Sequence, residues 1–131
     1  MSDNPELLKL CSLTDGLLWM SEAEYPFEVF VWNDLTSITP EELRSRTGHS
    51  PDIPVEVIDL EKFFKPAVTV EEWHNEEEAA EVKRYQELLS FLNENLENVK
   101  VYRVGECEID VYIIGQCSGQ LIGLKTKVVE T

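Results

Sequence analysis

The sequence predicts an α+β domain: a mainly antiparallel sheet with helices on both sides. Three observations predict it. A run of aromatic and β-branched residues at 27–32 and three more β-rich runs after residue 98 read as strands, and the last three are separated by turns too short for a crossover. Between them lies one long stretch with apolar residues at helical spacing. The chain has 131 residues, of which 43% are hydrophobic and 28% charged, which suits a single domain over 1–131 with a real core.

Taken in order, Asn4 to Leu13 reads as a helix, with Pro5 in its first turn and Leu7, Leu10 and Cys11 on one face. Asp15-Gly16 stops it, and Leu17 to Met20 is an apolar run compatible with either state. Phe27 to Trp32, between Pro26 and Asn33-Asp34, is a strand with apolar residues on both faces, as for a buried position. Thr39-Pro40-Glu41-Glu42 starts a short helix with a capping hydroxyl, a proline at the first position and an acid three residues after the cap. That helix ends near Gly48.

Val55 to Leu60 is a second strand, and Glu61 to Lys65 one turn of helix. The longest helix is expected from about Val70 to Leu96, capped by Thr69, with Ala79, Val82, Tyr85, Leu89, Leu92 and Leu96 on its buried stripe. Three strands follow: Val99 to Val104, Glu108 to Ile114 and Leu121 to Val129, joined by turns at Gly105-Glu106 and Gly115 to Gly119. The apolar density of 109–114 marks a central strand buried on both faces.

Charge narrows the function. Eleven Lys and Arg against 26 Asp and Glu leave a formal net charge of −15. Phosphate backbones and anionic membranes are repelled, and a cationic partner is favoured. Solubility alone also accounts for such acidity. The N-terminus lacks a signal-peptide pattern, no stretch approaches a membrane span, and three cysteines at 11, 107 and 117 fit reduced thiols; the expected location is the cytoplasm.

The acidity is segregated. No basic residue occurs between Lys9 and Arg44, where Asp15, Glu22, Glu24, Glu28, Asp34, Glu41 and Glu42 lie. A second block at 71–78 holds five glutamates. Acidic runs are ordinarily solvated faces. Here, however, Trp73 sits beside Glu72 inside the second block, as an interface anchor would. In the first block, Ser-Glu-Ala-Glu-Tyr-Pro is a turn that would pre-set Glu22 and Glu24. The last strand also runs almost to the terminus. If Val129 is still paired, the carboxylate of Thr131 stands on a short stem, as a hard-oxygen ligand for Mg²⁺ would.

Other chemistries find less support. His49, His74 and the cysteines lack zinc-ligand spacing, and no Gly-x-Ser-x-Gly elbow exists. Cys107 and Cys117 adjoin apolar strands and read as inert core thiols. Glycines 115, 119 and 123 precede a strand rather than a helix, so they are hairpin glycines, not a phosphate loop. No carboxylate pair is singled out for glycoside chemistry.

Four stretches resemble the nuclease A inhibitor family. They are Asp-Gly-Leu-Leu-Trp-Met-Ser-Glu-Ala-Glu-Tyr-Pro-Phe-Glu-Val-Phe-Val-Trp (15–32), Thr-Gly-His (47–49), Val-Tyr-Arg-Val-Gly-Glu-Cys-Glu-Ile-Asp-Val-Tyr-Ile-Ile-Gly (101–115) and Thr-Lys-Val-Val-Glu-Thr (126–131). Between Leu35 and Pro54 only Thr-Gly-His carries the resemblance. It implies a three-layer α-β-α sandwich and a non-enzymatic, one-to-one inhibitor of a Mg²⁺-dependent, sugar-nonspecific DNA/RNA endonuclease. By the same resemblance, Glu22, with Glu24 beside it, would meet nuclease arginines, and Trp73 after Glu72 would lie at the interface. The Thr131 carboxylate would approach the catalytic metal, which belongs to the nuclease, so the chain itself needs no cofactor. It would be a monomer when free, binding neither nucleic acid nor membrane directly. The alternatives are an acidic adaptor for a different basic partner and, more remotely, a small enzyme.

Overall fold

A sheet of five antiparallel strands organises the chain. The structure, a computed structural model, describes residues 5–20, 24–32, 34, 37–50, 52–68, 75–117 and 119–129. The elements are α1 (Pro5–Thr14), β1 (Leu18–Met20), β2 (Glu24–Pro26), β3 (Glu28–Trp32), α2 (Pro40–Arg46), β4 (Val55–Asp59), α3 (Leu60–Val68), α4 (Glu76–Asn95), β5 (Glu97–Val104), β6 (Glu108–Cys117) and β7 (Gln120–Val129). The sheet order is β3-β7-β6-β5-β4, while β1 and β2 form a separate hairpin. The α+β class and the central position of the strand expected at 108–114 follow the sequence expectation.

Alternation along the strands divides the core in two. Ile109, Val111 and Ile113 of β6, with Ile122, Leu124 and Val128 of β7, join Leu10 and Leu17 near α1, Phe63 and Phe64 of α3, and Tyr85, Leu88 and Leu92 of α4. Their alternate neighbours Tyr112, Ile114 and Leu121 join Tyr102, Val104 and Leu43 of α2 in a smaller cluster. A strand whose side chains point to opposite faces must supply both sets, which explains the continuous apolar run in β6.

Local signals place the helices. Thr39 caps α2: the Glu42 N–H donates to Thr39 Oγ1 at 3.2 Å, and Pro40 occupies the first turn, where a missing N–H costs nothing. Helix α1 stops at the Asp15-Gly16 turn, and the Arg84 guanidinium of α4 donates to the carbonyls of Leu13 at 3.1 Å and Asp15 at 2.6 Å. That cation satisfies carbonyls at the negative end of α1 and ties two helices together. At Gly123 the need is space rather than torsion: a β-carbon there would lie 2.5 Å from the Ile113 carbonyl oxygen and 2.5 Å from the Phe30 ring. Phe30, opposite it in the β3–β7 register, lays its ring into that gap.

Several expectations are corrected. Helix α4 starts at Glu76, not near Val70; Asn75 is non-helical, and its carbonyl accepts the Ala79 N–H at 2.9 Å, so it serves as the cap. The expected cap, Thr69, lies outside the described residues. Helix α3 runs nine residues rather than one turn because Leu60, Phe63 and Phe64 form a buried stripe that rewards its continuation. Strand β6 continues through Gly115 to Cys117, into the segment expected to be turn, and Gly115 there gives Leu96 and Val99 room to pack. Strand β3 is half-buried rather than enclosed, because it is an edge strand with β7 as its neighbour in the sheet. Two of the three thiols lie outside the core, while Cys117 packs against its edge. Cys11 and Cys107 are exposed, on the outer face of α1 and in the β5–β6 turn, and Cys117 is half-buried.

Candidate partner-binding surface

The strand directions gather several chain segments at one end of the sheet. Strand β5 ends there at Val104, β6 begins there at Glu108, and β7 finishes there, with Val129 still paired to Glu108. Pairing to its last residues holds β7 rigid as far as Val129. The β1–β2 hairpin stands beside this part of β7: Thr126 Oγ1 donates to the Tyr25 carbonyl at 3.4 Å, and Lys127 Nζ lies 5.8 Å from the Tyr25 ring centroid. Within the hairpin Met20 pairs with Glu24.

Helix α4 returns to the same end. Leu96 alone separates it from β5, so it must double back along that strand. Its 20 residues rise about 30 Å and the eight of β5 about 26 Å, so Asn75 comes back to the end where β5 finishes. Tyr85 of α4 meets Phe27, next to β2, with ring centroids 6.3 Å apart. Burial raises the Tyr85 phenol above its ordinary range, and Glu81 adds to the rise, so Tyr85 is a neutral core group.

The site residues expected from sequence stand as follows. Glu22, Glu72, Trp73 and Thr131 lie outside the described residues, as does His74. Glu24 is the first residue of β2. The described residues that flank them in sequence include Glu24 and Tyr25, Asn75 and Val129. These belong to β2, the cap of α4 and the end of β7.

Sequence reasoning passed over a second group beside this hairpin. An open depression of about 370 Å³ is lined by Tyr25, Pro26, Glu28, Asp110, Lys125, Thr126 and Lys127. On its flank His49 Nε2 is 3.1 Å from Asp110 Oδ2 and 3.3 Å from the Tyr112 hydroxyl, which joins the α2–β4 loop to β6. His49 is thus a half-buried connector and not the surface histidine expected. Burial raises the Tyr112 phenol above its ordinary range, partly offset by a hydrogen bond with Thr47 and reinforced by Asp110 and Glu28. The available signal was the alternation of Lys125 and Lys127 on a strand whose other face is apolar.

The acids are not equivalent. Asp34, one of the first acidic block, accepts two hydrogen bonds from Arg46, at 2.6 and 3.0 Å, and that guanidinium also lies 4.7 Å from the Trp32 ring centroid. The bidentate bond holds the Asp34 carboxyl below its ordinary range. Arg103 similarly pairs with Glu56 at 3.2 Å. These carboxylates are already engaged within the chain. Among the described residues no group of three or more His, Cys, Asp or Glu could hold a metal ion, and no helix is long and apolar enough to cross a membrane.

A comparison with curated proteins finds no match. A comparison with protein-family models matches the nuclease A inhibitor-like protein family over residues 4–131, nearly the whole length. The chain belongs to the nuclease A inhibitor-like family.

Proposed function

We propose that this protein inhibits a Mg²⁺-dependent, sugar-nonspecific endonuclease by filling its cleft with carboxylates that mimic substrate phosphates. A nuclease that ignores base sequence reads phosphate, so its cleft presents cations and a bound metal. Glu22 and Glu24 take the place of phosphates against nuclease arginines. The Thr131 carboxylate is directed toward the metal held by the nuclease, and Trp73 beside Glu72 supplies an apolar anchor. Carboxylates offer no scissile P–O bond, so the complex is not turned over, and the chain acts as a binding protein rather than an enzyme.

The observation that carries this reading, beside family membership, is that Tyr25 stands against the stretch of β7 that ends, still paired, at Val129, the end to which the length of α4 returns the chain at Asn75. In sequence, Glu22 lies three residues before Tyr25, Trp73 two before Asn75 and Thr131 two after Val129. A short stem on a paired strand limits the ordering entropy lost on binding. The net charge of −15 speeds encounter with a basic cleft.

The test is a titration of the protein into such a nuclease degrading plasmid DNA, beside Glu22→Ala and a chain lacking Thr131. Inhibition saturating near one-to-one and weakened at least tenfold in both variants supports blockade through these carboxylates. Folded protein that leaves cleavage untouched at large excess overturns the reading and leaves an acidic adaptor for another basic partner.

A further inference from the structure

Two lysines stand where a purely acidic inhibitor would have none. Lys125 and Lys127 alternate on β7, about 7 Å apart on the same face, in a chain with 26 Asp and Glu side chains. Each is half-buried with its ammonium near an aromatic ring, Lys125 Nζ 5.8 Å from the Tyr112 centroid and Lys127 Nζ 5.8 Å from that of Tyr25. Such seating restrains long side chains before any partner arrives. Their cross-strand neighbours are acidic: Glu28 faces Lys125, and Asp110 faces Lys127. Yet Asp110 is engaged by His49, and among the described residues no carboxylate lies within ion-pair distance of either ammonium. Both lysines line the depression beside the hairpin.

We infer that Lys125 and Lys127 form a cationic rim on the proposed binding surface that receives carboxylate side chains of the partner. This rests on the inhibitor reading. A nuclease that holds a divalent cation presents metal-ligating carboxylates among its basic groups. An inhibitor that is acidic throughout would be repelled by them at close range. Lys127 lies on β7 four residues before Thr131 in sequence, so the rim adjoins the strand end from which the proposed terminal contact would be made. The lysines thus match the partner's acids while the surrounding carboxylates match its cations, which fixes register as well as affinity.

Charge reversal tests this through the sign of its effect. Lys127→Glu changes the charge by −2, from −15 to −17, and so does Lys62→Glu at an exposed position of α3, near the opposite end of the sheet. Overall attraction to a basic partner predicts equal or tighter inhibition by both. The rim predicts that Lys127→Glu, and more so Lys125→Glu/Lys127→Glu, weakens inhibition at least tenfold while Lys62→Glu does not. Lys127→Gln, which removes charge without reversing it, should lie between parent and Lys127→Glu; thermal melts confirm that each variant is folded. Inhibition by Lys127→Glu equal to that by Lys62→Glu, with the parent active, overturns the inference alone. A parent that does not inhibit overturns the inhibitor reading and this inference with it.

Discussion

The two faces of the sheet come from the same strands but are built for different ends. On one face the even residues of β7, Ile122, Leu124, Thr126 and Val128, are all buried beneath a cluster fed by α1, α3 and α4. On the other the odd residues begin with Leu121 and Gly123 under Phe30, then change to Lys125 and Lys127. Helix α2 covers that face with one buried side chain, Leu43, and leaves the end nearest the β1–β2 hairpin open. One face therefore carries stability, and the other has stability at one end and, at the other, the open polar residues proposed for partner binding.

Substitutions can break this contrast, the largest on the helix-rich face. Phe64→Ala, at a fully buried site, should cost about 3–5 kcal/mol in chemical denaturation, while the folded fraction inhibits as the parent does. A loss below about 1 kcal/mol would mean that this face is not the main core. On the opposite face, Gly123→Ala should cost about 1–3 kcal/mol by forcing Phe30 and the Ile113 carbonyl away from the new methyl group. A neutral result would show that β3, an edge strand, shifts freely.

Smaller effects sharpen the comparison around α2. Thr39→Ala should lower stability by about 1 kcal/mol through loss of the cap, with Thr39→Ser largely restoring it. The smallest effect concerns Asp34. Its carboxyl is held below the ordinary value of 3.8 by Arg46, so the folded state binds the proton less readily than the unfolded chain. The stabilisation is therefore present above pH 3.8 and is lost as the pH falls through the depressed folded value. Asp34→Asn should show a slight loss relative to the parent at neutral pH that fades in acid and in high salt, because the pair is exposed. A difference that persists in strong acid would assign the loss to packing of Arg46 on Trp32 instead.

Much of this architecture is legible in the chain because its signals are local. Thr39-Pro40 with Glu42 starts α2 as expected, since a cap depends on its own four residues. The apolar density of 109–114 foretells the central strand, as both faces of such a strand must be buried. Elsewhere local signals mislead. The long helix reads as starting near Val70, yet Asn75 is non-helical and α4 starts at Glu76, with the Asn75 carbonyl accepting the Ala79 N–H. Cys11 falls beside Leu10 in periodicity but points outward. Periodicity gives the width of a stripe but not the edge where the neighbouring helix stops covering it.

The sequence by itself determined the α+β class, the order of most elements, the acidity and the resemblance that names the family. All of these reside in residue type and in spacing along the chain. Only the tertiary structure decided that Asp34 is committed to Arg46, that His49 engages Asp110 and Tyr112, and that Lys125 and Lys127 stand beside Tyr25 and Pro26. Those pairings join residues that strand register and loop closure bring together from distant parts of the chain. Charge counted along a sequence cannot tell a carboxylate already paired from one available to a partner; that difference is set by which cation folding places within reach.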